Sequence, residues 1–249
     1  MSIESPADLD GLRNASAVAS RTLDLLARAV EPGITTGELD RLAAVFFEQC
    51  GAHSAPARVY GFPGTVLISV NEEIVHGVPG RRAIIEGDLV SLDVTVELDG
   101  YIADAARSLV VGSGSAEANR LVECAAAAFE SALGVARAGT RVSEIGRAVS
   151  KEVRASGFRV VRGLAGHGVG RTIHEPPSVP NEWDPFQTDV LTEGLVITIE
   201  PMICAGSGVP VEAKDGWTIR TRDRSWAAHY EDTIVITRDR PIILTRTAA

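Results

Sequence analysis

Two carboxylates lie close together on a segment that is typical of a β-hairpin. Residues 91–108 alternate apolar and polar side chains on either side of Asp99–Gly100, a dipeptide that favours a two-residue turn. That turn pairs Thr95 with Asp104 and places Asp93 diagonal to Asp104 on the same face. Diagonal neighbours are about 7–8 Å apart, so the two carboxylates can share a cation. The alternative is that one faces solvent and the two are chance neighbours.

The chain contains an internal repeat. A pattern of glycine, glutamate and arginine in residues 33–51 recurs in residues 139–157, 106 positions later (139 − 33). The segment 86–93 likewise aligns with 193–200, 107 positions later (193 − 86). Two blocks at nearly one offset indicate two related halves rather than a solenoid of many repeats.

The repeat predicts a second pair of carboxylates. Glu200 occupies the position equivalent to Asp93, and Glu231 opens the next strand pattern, as Asp104 lies on the strand after Asp93. Four buried carboxylates would be very unfavourable unless they bound protons or cations. We therefore expect two divalent cations. Oxygen ligands favour Mn²⁺, Fe²⁺, Co²⁺ or Mg²⁺, and an added imidazole favours the transition metals.

Histidines occur next to these segments. His167, between glycines after a predicted strand, is the candidate imidazole ligand, with an ordinary structural histidine as the alternative. His174 lies in a loop stiffened by two prolines, and His76 lies between a strand and a Gly-Val-Pro turn. His229, two residues before Glu231, also lies in such a context, and a surface strand residue is the favoured interpretation over a site residue.

Composition excludes several classes of protein. The 249 residues are 45% hydrophobic and 23% charged, as in ordinary globular proteins. The formal net charge of −9 argues against a specific nucleic-acid surface, and no apolar run is long enough to span a membrane. The N-terminal residues do not resemble a secretion signal. Three isolated cysteines suit a reducing compartment, so the cytoplasm is the expected location.

Capping and turn signals predict an α+β fold. Helices are expected over residues 6–30, 36–51 and 116–136, and the repeat block 139–157 predicts a further helix that corresponds to the one over 36–51. Strands are expected over residues 66–70, 195–200 and 230–237, besides the hairpin. Each half would supply two helices and an antiparallel strand pair, related by a pseudo-twofold axis.

These residues together resemble the type I methionine aminopeptidases in their short bacterial form. The matching motifs occur in family order from about residue 5 to the C-terminus: His76-Gly-Val-Pro79, Asp93-Val-Thr95, Asp104, Gly166-His-Gly-Val-Gly170, His174-Glu-Pro176, Ile199-Glu-Pro-Met202 and Glu231. The resemblance implies the pita-bread fold, with an antiparallel sheet covered by helices. It also implies a single catalytic domain over residues 1–249, with halves of about 5–110 and 111–249.

The resemblance implies a dinuclear metal site. Its ligands would be Asp93, Asp104, His167, Glu200 and Glu231, holding two ions drawn from Co, Mn, Fe, Zn or Ni. A water or hydroxide that bridges the ions would attack the scissile carbonyl. Glu200 would also accept the proton, His174 would donate a hydrogen bond to the substrate, and His76 would assist substrate binding and proton movement.

The family's pocket for the methionine side chain maps to five apolar residues, for which ordinary core positions are the alternative. These are Val59, Phe62, Leu67, Ile173 and Trp217. Leu67 stands where the family often has cysteine, and Val59 replaces a frequent aromatic residue. Asp232 follows Glu231 where histidine is common.

The implied activity is removal of the initiator methionine from nascent proteins whose second residue is small. The implied enzyme is a monomer with transient ribosome association. One alternative is a proline-directed relative, a prolidase or aminopeptidase P, but those usually carry an added N-terminal domain. Another is a catalytically inactive homologue that binds proteins or RNA, although the full ligand set and the acidity argue against it.

Overall fold

Residues 1–246, which a computed structural model describes, form five α-helices and fifteen strands. The helices are α1 (Pro6–Ala29), α2 (Thr36–Cys50), α3 (Ala55–Tyr60), α4 (Ala116–Leu133) and α5 (Ser143–Ala155). The strands are β1 (His53–Ser54), β2 (Leu67–Val70), β3 (Glu73–Val75), β4 (Leu89–Leu98), β5 (Tyr101–Val110), β6 (Arg159–Val160), β7 (Ala165–Gly168), β8 (Glu175–Pro180), β9 (Val196–Ile199), β10 (Met202–Cys204), β11 (Pro210–Glu212), β12 (Ile219–Thr221), β13 (Ala227–His229), β14 (Glu231–Val235) and β15 (Ile242–Ile243). No helix among these residues is long and apolar enough to cross a membrane.

A nine-stranded sheet dominates the fold. Its strands run in the order β1-β4-β5-β14-β9-β7-β8, while β2 pairs with β4 and β15 pairs with β14. Two small sheets, β13-β10-β6 and β11-β12-β3, complete the structure. The strand pairs of all three sheets are antiparallel, so the predicted α+β fold with an antiparallel sheet is confirmed.

Helix ends follow the capping signals in the first half. Ser5 caps α1 and Thr35 caps α2, each in a reciprocal capping box, and α2 ends at Gly51 in the left-handed conformation. The predicted extension of α4 to residue 136 is wrong, because the helix ends at Gly134. The chain turns there and buries Ala136 in the core. Helix α5 lies within the repeat block 139–157, as α2 lies within the block 33–51.

The predicted hairpin forms with the expected register. Thr95 pairs with Asp104 and Leu98 pairs with Tyr101. Asp99 and Gly100 both have positive φ, at 51° and 79°, as a two-residue type I′ turn requires.

The two halves share backbone features. Gly33 and Gly139 both have positive φ, at 102° and 89°. Their amides donate to the carbonyls of Ile84 and Leu191, which are also 107 positions apart (191 − 84). The division near residue 110 and the single domain over residues 1–249 stay predictions.

Helices cover one face of the large sheet and leave the other face for the site. Leu92, Val94 and Ala105 belong to the hydrophobic core formed with α1 and α2. Because side chains alternate along a strand, Asp93 and Asp104 point to the opposite face. Ile199 of β9 and Ile234 of β14 likewise belong to the hydrophobic core that contains α4 and α5. The neighbouring Glu200 and Glu231 therefore point to the opposite face.

Candidate metal centre

Five adjacent strands carry the five predicted metal ligands. Asp93 lies on β4, Asp104 on β5, Glu231 on β14 and His167 on β7, and Glu200 directly follows β9. All five side chains line one cavity. The sequence had suggested that His167 follows a strand, but it lies within β7. The structure therefore brings the predicted ligands together, and their role as ligands remains a proposal.

Hydrogen bonds to its carboxyl and from its backbone amide hold Asp104 in place. The Thr95 hydroxyl, on the facing strand of the hairpin, donates to Asp104 Oδ1 at 2.9 Å. The backbone amide of Asp104 donates to the Thr233 hydroxyl at 2.9 Å, which ties β5 to β14. The second of these bonds links the two halves of the sheet directly at the site.

The Glu200 carboxyl is held in a similar way from the other half. The Thr198 hydroxyl donates to Glu200 Oε1 at 2.9 Å and accepts from the His167 amide at 3.1 Å. A Cβ on Gly166 would lie 2.8 Å from the Thr198 carbonyl oxygen, so only glycine allows β7 and β9 to approach this closely. The glycines around His167 thus serve the packing of the site.

The candidate ligand atoms form two groups that share Glu231. One atom from each of Asp93, His229 and Glu231 lies within 4.8 Å of the others, and the same holds for Asp104, His167 and Glu231. Two groups with one common carboxylate match the arrangement that two cations would need.

The donor set fits divalent cations. Glu231 is 2% exposed, and its Oε1 has no hydrogen-bond partner within residues 1–246. Asp104 and Glu200 are buried as well, at 6% and 8% exposure. Because buried carboxylates are stable only when paired or bound to a metal, this cluster suits cations that accept oxygen and imidazole ligands.

Burial raises the pKa of each of the four carboxyl groups. The pKa of Asp104 rises to about 6, because burial outweighs the Thr95 hydrogen bond that lowers it. The pKa values of Asp93, Glu200 and Glu231 also rise, first through burial and then through the neighbouring carboxylates. Without a cation the cluster therefore retains protons.

His76, His167 and His174 line the cavity beside the carboxylates. Burial lowers the pKa of His76, His167 and His174, and each also lies near another imidazole or carboxylate that modifies the shift. The rings of His167 and His174 are 4.2 Å apart between centroids. His174 Nδ1 and the Tyr60 hydroxyl are 2.6 Å apart and hydrogen-bonded. These imidazoles are therefore neutral near pH 7 and can donate or accept one hydrogen bond at each nitrogen.

An apolar wall completes the cavity, whose volume is about 170 Å³. Phe62, Leu67, Ile173 and Trp217 all line it, and the rings of Phe62 and Trp217 meet edge to face at 5.3 Å. Val59 does not join them, because its side chain is 54% exposed and lies outside the cavity. Four of the five predicted pocket residues thus lie together.

Tyr60 was not among the predicted pocket residues, and His229 is not on the surface as predicted. Tyr60 follows Val59 on α3 and lines the cavity instead of it, since adjacent helical residues point about 100° apart. His229 is 1% exposed and lines the cavity, so its interpretation as a surface residue is wrong. The spacing of two positions from His229 to Glu231 could have indicated that both side chains point to one face of a strand, but not that His229 is buried.

Asp232 stabilises the strand that carries Glu231 through contacts with two arginines. It is fully buried and accepts hydrogen bonds from Arg107 at 2.6 Å and Arg246 at 2.9 Å. Arg107 also donates to the backbone carbonyl of Glu231. An aspartate at this position therefore holds the strand that presents Glu231.

The sequence pattern of metallopeptidase family M24 matches residues 10–238. The chain belongs to metallopeptidase family M24. Among curated relatives of this M24 chain, methionine aminopeptidase 2 of Bacillus subtilis is 42% identical over 248 residues, which are 99% of this chain and 100% of the relative. Methionine aminopeptidase of Clostridium perfringens is 42% identical over 96% of each chain. The resemblance inferred from the motifs is confirmed.

Solved structures confirm the pita-bread fold of this M24 chain. The methionine aminopeptidase of Rickettsia prowazekii superposes with a TM-score of 0.94 at 36% identity, covering 98% of this chain and 100% of the other. The methionine aminopeptidase of Thermotoga maritima superposes with a TM-score of 0.95 at 33% identity, covering 99% of this chain and 100% of the other. Prolidase from Pyrococcus furiosus shares the fold alone, with a TM-score of 0.80 at 23% identity, and this chain covers 66% of it.

Proposed function

We propose that this M24 chain is a methionine aminopeptidase that removes N-terminal methionine from polypeptides whose second residue is small. The observation that carries the proposal is a single cavity in which an apolar wall meets a cluster of carboxylates and imidazoles. Leu67 and the Phe62–Trp217 pair suit a thioether side chain, because methionine sulfur packs favourably against aromatic rings. The methionine side chain would therefore lie on the wall with its carbonyl beside the carboxylates.

We infer that two divalent ions bind here. Asp93, Asp104, His167, Glu200 and Glu231 would hold them, with Glu231 common to both. The imidazole favours transition ions, so Co, Mn, Fe, Zn and Ni are the candidates. When bound, the ions would polarise the scissile carbonyl and make the attacking water more acidic.

The side chains of this chain would manage the proton. Thr198 donates to Glu200 Oε1, which leaves Oε2 free to take a proton from the attacking water and return it to the leaving amine. His174 would donate from Nε2 to the oxygen that gains charge, since its Nδ1 is engaged by Tyr60. His76, on the same cavity, would orient the substrate and assist proton movement.

A peptide assay tests this function. Met-Ala-Ser, Met-Lys-Ser, Leu-Ala-Ser and Ala-Pro-Ser are incubated with protein that has been stripped by a chelator and then supplied with Co²⁺ or Mn²⁺. We expect methionine release from Met-Ala-Ser only, and none before metal is returned. Cleavage of none of the four peptides in the presence of metal would overturn the proposal, and cleavage confined to Ala-Pro-Ser would assign a proline-directed activity instead.

We also propose that the natural substrates are nascent polypeptides in the cytoplasm, met during transient contact with the ribosome, and that the enzyme acts as a monomer. The support is chemical, because an initiator methionine first becomes accessible as a chain leaves the ribosome. Sedimentation velocity and pelleting with ribosomes over a salt series test these points. A stable dimer, or the absence of any ribosome-dependent pelleting at low salt, would contradict them.

A further inference from the structure

His229 is a buried imidazole whose two nitrogens lack a hydrogen-bond partner within residues 1–246. His229 is the last residue of β13. Its side chain is 1% exposed and lines the cavity beside the carboxylates. Buried polar groups in folded proteins almost always have a partner, so two open nitrogens at one site require an explanation.

The distances from His229 suit shared binding of an ion better than hydrogen bonding. Its Nε2 lies 3.6 Å from Glu231 Oε2 and 3.8 Å from Glu200 Oε2. Both distances exceed those of a side-chain hydrogen bond, which are about 2.7–3.2 Å. Two ligands that each lie about 2.1 Å from one ion are roughly 3.0–4.2 Å apart, depending on the angle between them. His229 therefore has the spacing of a co-ligand.

The internal repeat gives independent support. In the antiparallel strand pair of the first half, Thr95 lies opposite Asp104. In the corresponding strand pair of the second half, Met202 lies opposite His229. The offset of 107 that relates the first strands equates Thr95 with Met202 (202 − 95). His229 thus occupies the position of Asp104, a predicted ligand. Glu231 corresponds instead to Ala106, which corrects the pairing of Glu231 with Asp104 that the sequence suggested.

We propose that His229 is a nitrogen ligand of the divalent ion held by Asp93 and Glu231. The inference rests on the dinuclear centre of the proposed function and adds a sixth ligand to it. Each ion would then have one imidazole, His167 at one and His229 at the other. Because imidazole favours transition ions over Mg²⁺ and Ca²⁺, His229 would tighten and restrict metal binding at the Asp93 end.

Two substitutions separate ligation from hydrogen bonding. His229→Gln keeps a side-chain amide that can donate to Glu231 but removes the imidazole nitrogen. His229→Glu removes the imidazole but supplies a carboxylate of similar reach, which has no proton to donate once it binds the ion. His53→Gln, on the exposed surface of β1, is the matched control.

Binding of Co²⁺ to the chelator-stripped proteins is followed by calorimetry and by proton NMR of the paramagnetic complex. We expect two equivalents and two shifted, exchangeable imidazole N–H signals in wild type and His53→Gln. His229→Gln should lose one of these signals and weaken the second equivalent by about 100-fold or more, while His229→Glu should recover most of the second-site affinity with one signal. Thermal unfolding of the metal-free variants confirms that they fold.

Several results would overturn the assignment. They are a single shifted imidazole signal in wild type, an unchanged second equivalent in His229→Gln, or a failure of His229→Glu to bind better than His229→Gln. Methionine release from Met-Ala-Ser is measured on the same samples. Two imidazole signals without peptide cleavage would refute the proposed function and leave the assignment of His229 as a ligand standing. Peptide cleavage with a single imidazole signal would support the proposed function and refute that assignment.

Discussion

The Tyr60 hydroxyl and His174 Nδ1 are joined by a 2.6 Å hydrogen bond at the edge of the cavity. With the phenol donating, the ring proton of His174 is held on Nε2, the nitrogen available to a substrate. Tyr60 is thereby a positioning residue for the proposed hydrogen bond from His174.

Replacing Tyr60 by Phe should lower kcat by about 3- to 10-fold, the loss expected for one hydrogen bond that orients a neutral imidazole. Metal content should not change, and KM should change little. Steady-state kinetics on Met-Ala-Ser with metal analysis measures this. Val59→Ala, on the exposed side of the same helix, should leave kcat as it is. Equal effects of the two substitutions would show that the hydrogen bond does not matter.

Glu200→Gln should reduce kcat by at least about 100-fold, because an amide cannot accept the proton from water. The fold should persist, since the amide can still accept the hydrogen bond from Thr198. Circular dichroism, bound metal and methionine release are measured on one preparation. Near-normal turnover would refute the role given to this carboxyl.

Metal binding should release protons, and its affinity should rise with pH. The Asp104 pKa is raised from 3.8 to about 6, so a proton must leave this group when an ion binds below that pH. In the metal-free protein the raised carboxyl pKa values reduce stability as pH rises through them, because the folded state binds more protons than the unfolded state. The stabilisation that metal adds should therefore increase with pH between about 5 and 7.

Calorimetric titration with Mn²⁺ in buffers of different ionisation enthalpy measures the protons released. The imidazoles should contribute none near pH 7, because their pKa values are lowered and they are already neutral. Affinity independent of pH, with no buffer-dependent heat, would contradict the raised carboxyl pKa values.

Asp232→Ala should destabilise the protein by about 3 kcal/mol, because it leaves Arg107 and Arg246 without their buried partner. It should also reduce metal content, since Arg107 contacts the Glu231 backbone. Urea unfolding with and without metal measures both effects. Glu193→Ala breaks an exposed pair with Arg238 and should cost less than about 1 kcal/mol. A similar cost for both substitutions would contradict the buried role of Asp232.

Local sequence signals predicted the elements that their own residues determine. Asp99–Gly100 determines the turn and, through it, the pairing of Thr95 with Asp104. Capping residues determine where α1 and α2 begin. The five predicted ligands meet because the hairpin and its counterpart in the second half lie side by side through the pairing of β5 with β14.

Other features depend on distant parts of the chain. His229 is buried because β13 pairs with β10, a contact between segments about 27 residues apart (229 − 202) that no local pattern shows. Tyr60 lines the cavity in place of the predicted Val59 because of the orientation of the short helix α3, which the sequence around it does not determine. The predicted end of α4 near residue 136 was wrong because the helix already ends at Leu133, before the C-cap Gly134.

The central claim is that the carboxylates and imidazoles on five adjacent strands bind two divalent ions around Glu231. Anomalous diffraction from crystals grown with Co²⁺, collected on both sides of the cobalt absorption edge, tests this most directly. The account predicts two anomalous peaks within the cavity, each in contact with a Glu231 oxygen. A cavity without an anomalous peak, or two peaks that do not contact Glu231, would contradict it.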